Sequence, residues 1–226
     1  MIQLAENVYA VTKKAFFSSP VFIIEKKNGK LTLVDTGLTK DVSSFITQIN
    51  EKWGSLENVE RIIFTHRHGD HIQGLRAFLD EMITISAEAP PEEKIEIVFH
   101  EAEGPLFVKD QKDRIIKPNR LVKHEEIIDK ELTLQAIHTP GHTYGHLCLL
   151  IKNRKLLLIG DLIMLMFGNR LRPVFKLAHD DYKLHFETLP RILNYEWDFA
   201  IPSHMKPVKI PREKIENYIK KKTRQK

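Results

Sequence analysis

The chain has 226 residues, 42% hydrophobic and 29% charged, a balance that suits a globular protein and excludes a disordered one. The net charge is +5, much of it in the closing stretch KIENYIKKKTRQK; such a balance is compatible with an acidic substrate or nucleic acid, although a basic tail reads first as solvated charge. No apolar run approaches the roughly 20 residues of a membrane helix, and the opening MIQLAENVYAV has no basic segment followed by an apolar core, so a cytoplasmic protein without membrane contact is expected.

In chain order, NVYAVTK and SPVFIIEKKNGKLTLVDTG read as strands, with KNGK turning a hairpin. KDVSSFITQINEKWG has helical spacing, with Val42, Phe45, Ile46 and Ile49 on one face and Gly54 to close it. RIIFTH is a strand, and GLRAFLDEM a short helix. KIEIVFHE is a strand, whereas AEGPLFVKDQKDRIIKPNR reads as loop and short pieces. ELTLQAIHTPGHTYGHLCLLIKNRKLLLIGD is strand, loop and hairpin. DDYKLHFETLPRILNYE is helical, WDFAIPSH is a strand entering a loop, and REKIENYIKKK is a closing helix. Two hairpins, FIIEKKNGKLTLVDTG and LLIKNRKLLLIGD, both end in an aspartate and suggest two similar β-rich halves. The lone Cys148 lies in HLCLLI, where it reads as a small buried hydrophobe. No linker divides the chain, so residues 1–226 are expected to form one domain.

Chemistry concentrates in THRHGDHIQG. Side chains two apart on an extended backbone share a face, so His66 and His68 can look at one point. Gly69 then lets the chain turn and bring Asp70 and His71 to a second point. Metal sites need three or four protein ligands, so each pair requires partners from elsewhere. Three apolar strands deliver them at their C-terminal ends: His142 after LTLQAIH, Asp161 after LLLIG and His204 after FAIPS. A carboxylate such as Asp161 can bridge two ions with its two oxygens. With no serine in a nucleophile elbow and no motif around Cys148, the expected nucleophile is water, activated by two metals about 3.5–4 Å apart.

At this point the sequence resembles the metallo-β-lactamase superfamily. The matching motifs are VDTG at 34–37, HRHGDH at 66–71, PGHT at 140–143, GD at 160–161 and PSH at 202–204, in the family's order and across most of the chain. The resemblance implies an α/β (α+β) fold, a four-layer αββα sandwich. It implies His66, His68 and His142 on one divalent ion, Asp70, His71 and His204 on the other, and Asp161 bridging. It implies that Asp35 steadies the histidine-rich loop by hydrogen bonds. His146 is a candidate for a similar supporting place, and His185 reads as packing or surface. Zinc is the first expectation for the two ions, with iron or manganese open, since all donors are N or O.

The implied activity is hydrolysis of an ester, thioester or lactone by a hydroxide held between two metals; a phosphoester is the alternative, and a mononuclear iron dioxygenase of the persulfide type a more distant one. Few residues follow His204, so a stand-alone hydrolase without the C-terminal domain of glyoxalase II enzymes is expected. Asp70 and Asp161 are the expected catalytic carboxylates, Asp70 relaying a proton to the leaving group, and Tyr144 is a candidate donor to the substrate oxyanion. After Asp161 comes LIMLMFGNRLRPVFKLAH, which has neither helical nor strand periodicity. There Met164, Met166 and Phe167 suggest an apolar lip, and Arg170, Arg172 and Lys176 are candidate contacts for an anionic small-molecule substrate. Nucleic acid and the oligomeric state are left open.

Overall fold

The computed structural model describes residues 1–11, 19–85, 94–111, 115–204 and 207–223. The end of the first expected strand (Thr12 and Lys13), residues 112–114 of the expected loop, the side chain of Phe167 and the basic residues 224–226 lie outside that description. The chain divides into two units, Met1–Phe99 with Gly104–Leu121, and His100–Glu103 with Val122–Lys226.

In the first unit the strands are β1 (Ile2–Ala5), β2 (Val8–Val11), β3 (Val21–Glu25), β4 (Leu31–Val34), β5 (Val59–Ile63), β6 (Glu96–His100) and β7 (Arg120–Val122), side by side in that order in one sheet. The helices are α1 (Val42–Trp53), α2 (Gly69–Ile72), α3 (Gly74–Ile85) and α4 (Gly104–Asp110). β3 and β4 form the expected hairpin, its turn carried by Gly29 at φ +79°. α1 buries Val42, Phe45, Ile46 and Ile49, the four positions that the spacing marks, because a 3.6-residue repeat puts them on one stripe. Gly54, at φ +81°, ends it by donating its N–H to Asn50. α1 carries the chain from β4 to the parallel β5, and β5 also runs parallel to β6. The C-terminal ends of β4 and β5 therefore meet at one sheet edge, where VDTG and the histidine-rich loop begin.

One expectation is corrected here: the helix after that loop runs twelve residues, Gly74–Ile85, and is not short. The segment read as loop and short pieces holds the seven-residue α4, pinned to the sheet by stacked Phe64, Phe99 and Phe107, with ring centroids 4.6 Å and 4.5 Å apart along the stack.

In the second unit the strands are β8 (Ile127–Asp129), β9 (Leu134–His138), β10 (Leu147–Ile151), β11 (Leu156–Leu158), β12 (Met164–Met166), β13 (Arg170–Arg172), β14 (Phe199–Ile201) and β15 (Ile210–Pro211). The helices are α5 (Tyr182–Thr188) and α6 (Arg212–Thr223). The sheet order is β15-β14-β11-β10-β9-β8. β10 is antiparallel to both β9 and β11, and β14 is parallel to β11. β9, β11 and β14 thus all point the same way, and His142, Asp161 and His204 all follow strand ends on one edge. The stretch after Asp161 is a two-stranded hairpin of β12 and β13, a correction to the reading without periodicity. Arg212 anchors α6 by donating to the carbonyls of Tyr195 and Leu193 and by lying 4.9 Å from the Trp197 ring. Among the described residues no helix is long and apolar enough to cross a membrane.

Candidate metal centre

In the first unit, α2 begins immediately after His68, and its first turn carries Asp70 and His71. The imidazoles gather closely: the His66 ring lies 4.8 Å from His68 and 4.0 Å from His71. Asp35 organises them from a buried position. Its carboxylate accepts the Thr65 backbone N–H at 2.8 Å, the Thr65 hydroxyl at 2.9 Å and His71 Nδ1 at 2.8 Å. A carboxylate on Nδ1 keeps the proton there and leaves the Nε2 lone pair for another use. The Thr65 hydroxyl also lies 3.1 Å from His66 Nδ1.

Ser19 carried no signal in the sequence, being 47 positions from the nearest histidine of the loop and in no motif. Its hydroxyl is 3.1 Å from Asp70 Oδ2 and 3.0 Å from His71 Nε2. One hydroxyl proton cannot serve two acceptors at once. Asp70 Oδ2 and His71 Nε2 lie 3.7 Å apart beside that hydroxyl, two lone-pair atoms turned to one point, which is the surrounding a cation takes. On this observation the residues fit a divalent metal.

In the second unit the convergence is on Asp161. His204 Nε2 lies 2.9 Å and His142 Nε2 3.4 Å from the same oxygen, Asp161 Oδ2. His142 is wholly buried and Asp161 nearly so. His146 stands behind them. Its Nε2 accepts the Asp161 backbone N–H at 3.1 Å, and its Nδ1 lies 2.8 Å from the Thr139 hydroxyl. Accepting at Nε2 places the proton on Nδ1, so His146 is neutral and holds the Asp161 backbone. Thr139 also touches Cys148, whose thiol burial pushes up to about 12, so it is an inert core group.

The turn that presents His142 rests on α5. Gly141 accepts the Asp181 N–H, His142 the Asp180 N–H, and Pro140 the Thr188 hydroxyl at 2.6 Å. His185 is fully buried beneath this turn, and burial takes its pKa down to about 3, so it packs as a neutral ring. The His179 ring links the two, 5.0 Å from His142 and 4.7 Å from His185. Glu103 is a second buried residue without a sequence signal; it accepts the Gly145 N–H at 2.8 Å. His100 stacks on His138 at 3.7 Å, and burial takes its pKa down to about 3.

The remaining candidates scatter. The Tyr144 side chain is exposed, while its N–H is held by Asp180. Met164 is buried and Met166 partly exposed, so the expected apolar lip loses Met164. Arg170 and Arg172 open on a cavity lined also by α6, whereas Lys176 lies over the Tyr182 ring, 5.8 Å from its centroid.

Because Asp35 sets the His71 tautomer, Asp35→Ala is expected to weaken metal binding by roughly 10–100-fold. Competition with a chelator checks this, and Asp35→Asn separates charge from shape.

The model of the Metallo-beta-lactamase superfamily matches residues 15–204. A Caenorhabditis elegans protein named Beta-lactamase-like protein 2 homolog is 28% identical over 193 residues, covering 84% of this chain and 57% of its own length. A hydroxyacylglutathione hydrolase of Francisella philomiragia is 34% identical over 104 residues, 46% of this chain and 33% of that protein. The chain therefore spans little more than half of the first relative and a third of the second. Among solved structures, a class B3 di-zinc metallo-beta-lactamase from an Alaskan soil metagenome superposes with a TM-score of 0.70 at 16% identity, covering 99% of this chain and 91% of the other; at that identity the likeness speaks for the fold. The match of the family model across five ordered motifs, on strands that end at ligand-bearing edges, means that this chain belongs to the metallo-beta-lactamase superfamily.

Proposed function

We propose that this chain is a metal-dependent hydrolase acting on a carboxylic ester, thioester or lactone, with residues 1–226 working as one domain. The observation that carries the proposal is the convergence of two imidazole Nε2 atoms on one buried Asp161 oxygen. A carboxylate so placed is suited to bridging. In this reading His66, His68 and His142 hold one ion, Asp70, His71 and His204 hold the other, and Asp161 is shared. The proposed ions are zinc, in keeping with the di-zinc lactamase of the same fold. When bound, two such ions acidify a water and polarise the substrate oxygen. The chain's own residues do the rest. Asp35 and Thr65 fix the imidazoles of the loop, and His146 fixes the Asp161 backbone. Asp70, tied to Ser19, is the proposed proton donor to the leaving group. Tyr144, exposed and carrying a hydroxyl, is the proposed donor to the substrate oxyanion, and Arg170, Arg172 and Lys176 the contacts for an anionic part of the substrate. Acyl-transfer chemistry is favoured by relatives named hydroxyacylglutathione hydrolase. A phosphoester is the second reading, favoured by the cationic cavity at Arg170 and Arg172.

Purified protein reconstituted with zinc, iron or manganese is expected to hold close to two ions per chain by elemental analysis and to hydrolyse at least one of a lactone, a thioester and a phosphodiester. Protein that takes up none of these metals would overturn the proposal.

A further inference from the structure

The second unit carries a cavity of about 660 Å³ between the β12–β13 hairpin and α6, lined by Arg170, Arg172, Lys214, Asn217, Lys221 and Lys222, with Leu171 and Tyr218. Volumes of this order are those of small-ligand sites. Five of the lining residues are cations and none is an acid. Among the described residues, no carboxylate lies in ion-pair contact with any of the five. What sets the five apart is that they line one cavity together, whereas the partly buried Lys26, Arg61, Arg67 and Arg212 each have an acidic partner.

The local structure explains the gathering. Arg170 and Arg172 alternate along β13 and so share one face of the strand. On α6, Lys214, Asn217, Tyr218, Lys221 and Lys222 follow the three-to-four-residue spacing of one helix face, while Ile215 and Ile219 take the buried stripe. Lysines in a last helical turn are favoured by the helix dipole alone. That does not account for two arginines brought up opposite them, since like charges facing across a cavity repel unless an anion joins them. Tyr218 adds a donor: its hydroxyl is buried, makes no hydrogen bond to the described residues, and keeps its proton because burial raises its pKa.

We propose that this cavity is a binding site for an anion carrying two or more phosphoryl groups, either a free oligophosphate or the backbone of a single nucleic-acid strand. Arginine forks match phosphate oxygens in pairs, and lysines serve them as point charges. One phosphate, at about −1.5 to −2, would leave most of five positive charges unmet. The cations are also spread out. Arg170 and Arg172 are separated by two strand residues, roughly 7 Å, and Lys214 and Lys221 by seven helical ones, roughly 10 Å of rise. A row of phosphates fits that spread better than one compact group. The proposal takes from the functional reading only that Arg170 and Arg172 meet an anion, and needs no metal.

The test uses the purified full chain, the Lys214→Glu/Lys221→Glu double variant, and three probes: inorganic tripolyphosphate, a fluorescent ten-nucleotide single-stranded RNA, and citrate as a trianion without phosphorus. Both lysines lie outside the proposed metal and substrate machinery, so the variant's metal content should match the parent's. The parent is expected to bind tripolyphosphate or RNA, more weakly as salt rises, and the variant to bind at least about tenfold more weakly. Citrate should bind far more weakly than tripolyphosphate. Tighter tripolyphosphate binding supports the site with a free oligophosphate as occupant; tighter RNA binding supports it with a phosphodiester strand. Equal affinities in parent and variant, equal binding of citrate and tripolyphosphate, or no binding of either phosphate probe would overturn the proposal. Binding that persists in protein unable to take up metal would leave this site standing and remove the hydrolase.

Discussion

Asp161→Ala is expected to lower metal content from about two ions per chain to less than one and to remove nearly all hydrolytic activity. Two imidazoles approach a single Asp161 oxygen, so its loss removes the link between them. In the proposed centre, losing the carboxylate would also remove the negative charge between two dications. Lewis-acid catalysis is worth several kcal/mol and each 1.4 kcal/mol is tenfold in rate, so the loss should be about a thousandfold or more. The fold should survive, because His146 holds position 161 through its backbone N–H, which alanine keeps. His185→Ala is the contrast. That ring is wholly buried and holds no proposed ligand place, so stability should fall while metal content stays near two. Elemental analysis beside a thermal melt reads both. An Asp161→Ala protein that retains two ions and full turnover would show that the carboxylate bridges nothing.

Much of the site was legible because its signals are local. A hydrophobic stripe announces α1, KNGK announces its hairpin, and three apolar strands each end in a ligand-type residue. All seven proposed metal ligands sit in short motifs, and Asp161 also follows a strand of leucines. Asp35 and His146 were also accessible, since Asp35 lies within a motif and His146 within a few residues of one. What stayed hidden is what depends on contacts between distant segments. Ser19 reaches Asp70 and His71 across about fifty residues, and nothing in SSPVF distinguishes it from any serine before a strand. Glu103 caps Gly145 across a similar gap.

The middle of the chain was read only as loop and short pieces for a related reason. α4 opens on Gly104 and Pro105, residues that mark turns as often as first helical turns. Its stability comes from Phe107 stacking on Phe99, a tertiary contact that overrides weak local propensity. The β12–β13 hairpin was missed because its strands are three residues each, too short for alternation to register. The basic tail was read as solvated charge on grounds of frequency alone. Only the placement of α6 beside Arg170 and Arg172 turns that charge into a lined cavity.

Gly141→Ala should be among the most damaging single-methyl substitutions in the chain. Gly141 sits at φ +128°, where L residues are strained, and an added Cβ would lie 2.2 Å from the His185 backbone nitrogen and 2.3 Å from its Cα. Those atoms belong to α5 and cannot rotate aside as a side-chain tip can. Either the turn lifts from α5 or the helix retreats, and both break the Asp181 and Asp180 N–H bonds to Gly141 and His142. Backbone strain of 1–3 kcal/mol together with a core clash places the cost at about 3–5 kcal/mol. For a chain of this size that is a fall in Tm of about 10 °C. Gly29→Ala separates the two contributions. Gly29 has φ +79° in the β3–β4 turn, but nothing lies within 4 Å of the Cβ position. Its replacement carries the conformational cost alone, about 1 kcal/mol. The difference between the variants is then the price of crowding α5. Because His142 is the next residue, Gly141→Ala should also reduce metal content, whereas Gly29→Ala should not. Equal melting temperatures for the two variants would mean that the His142 turn is not held by α5.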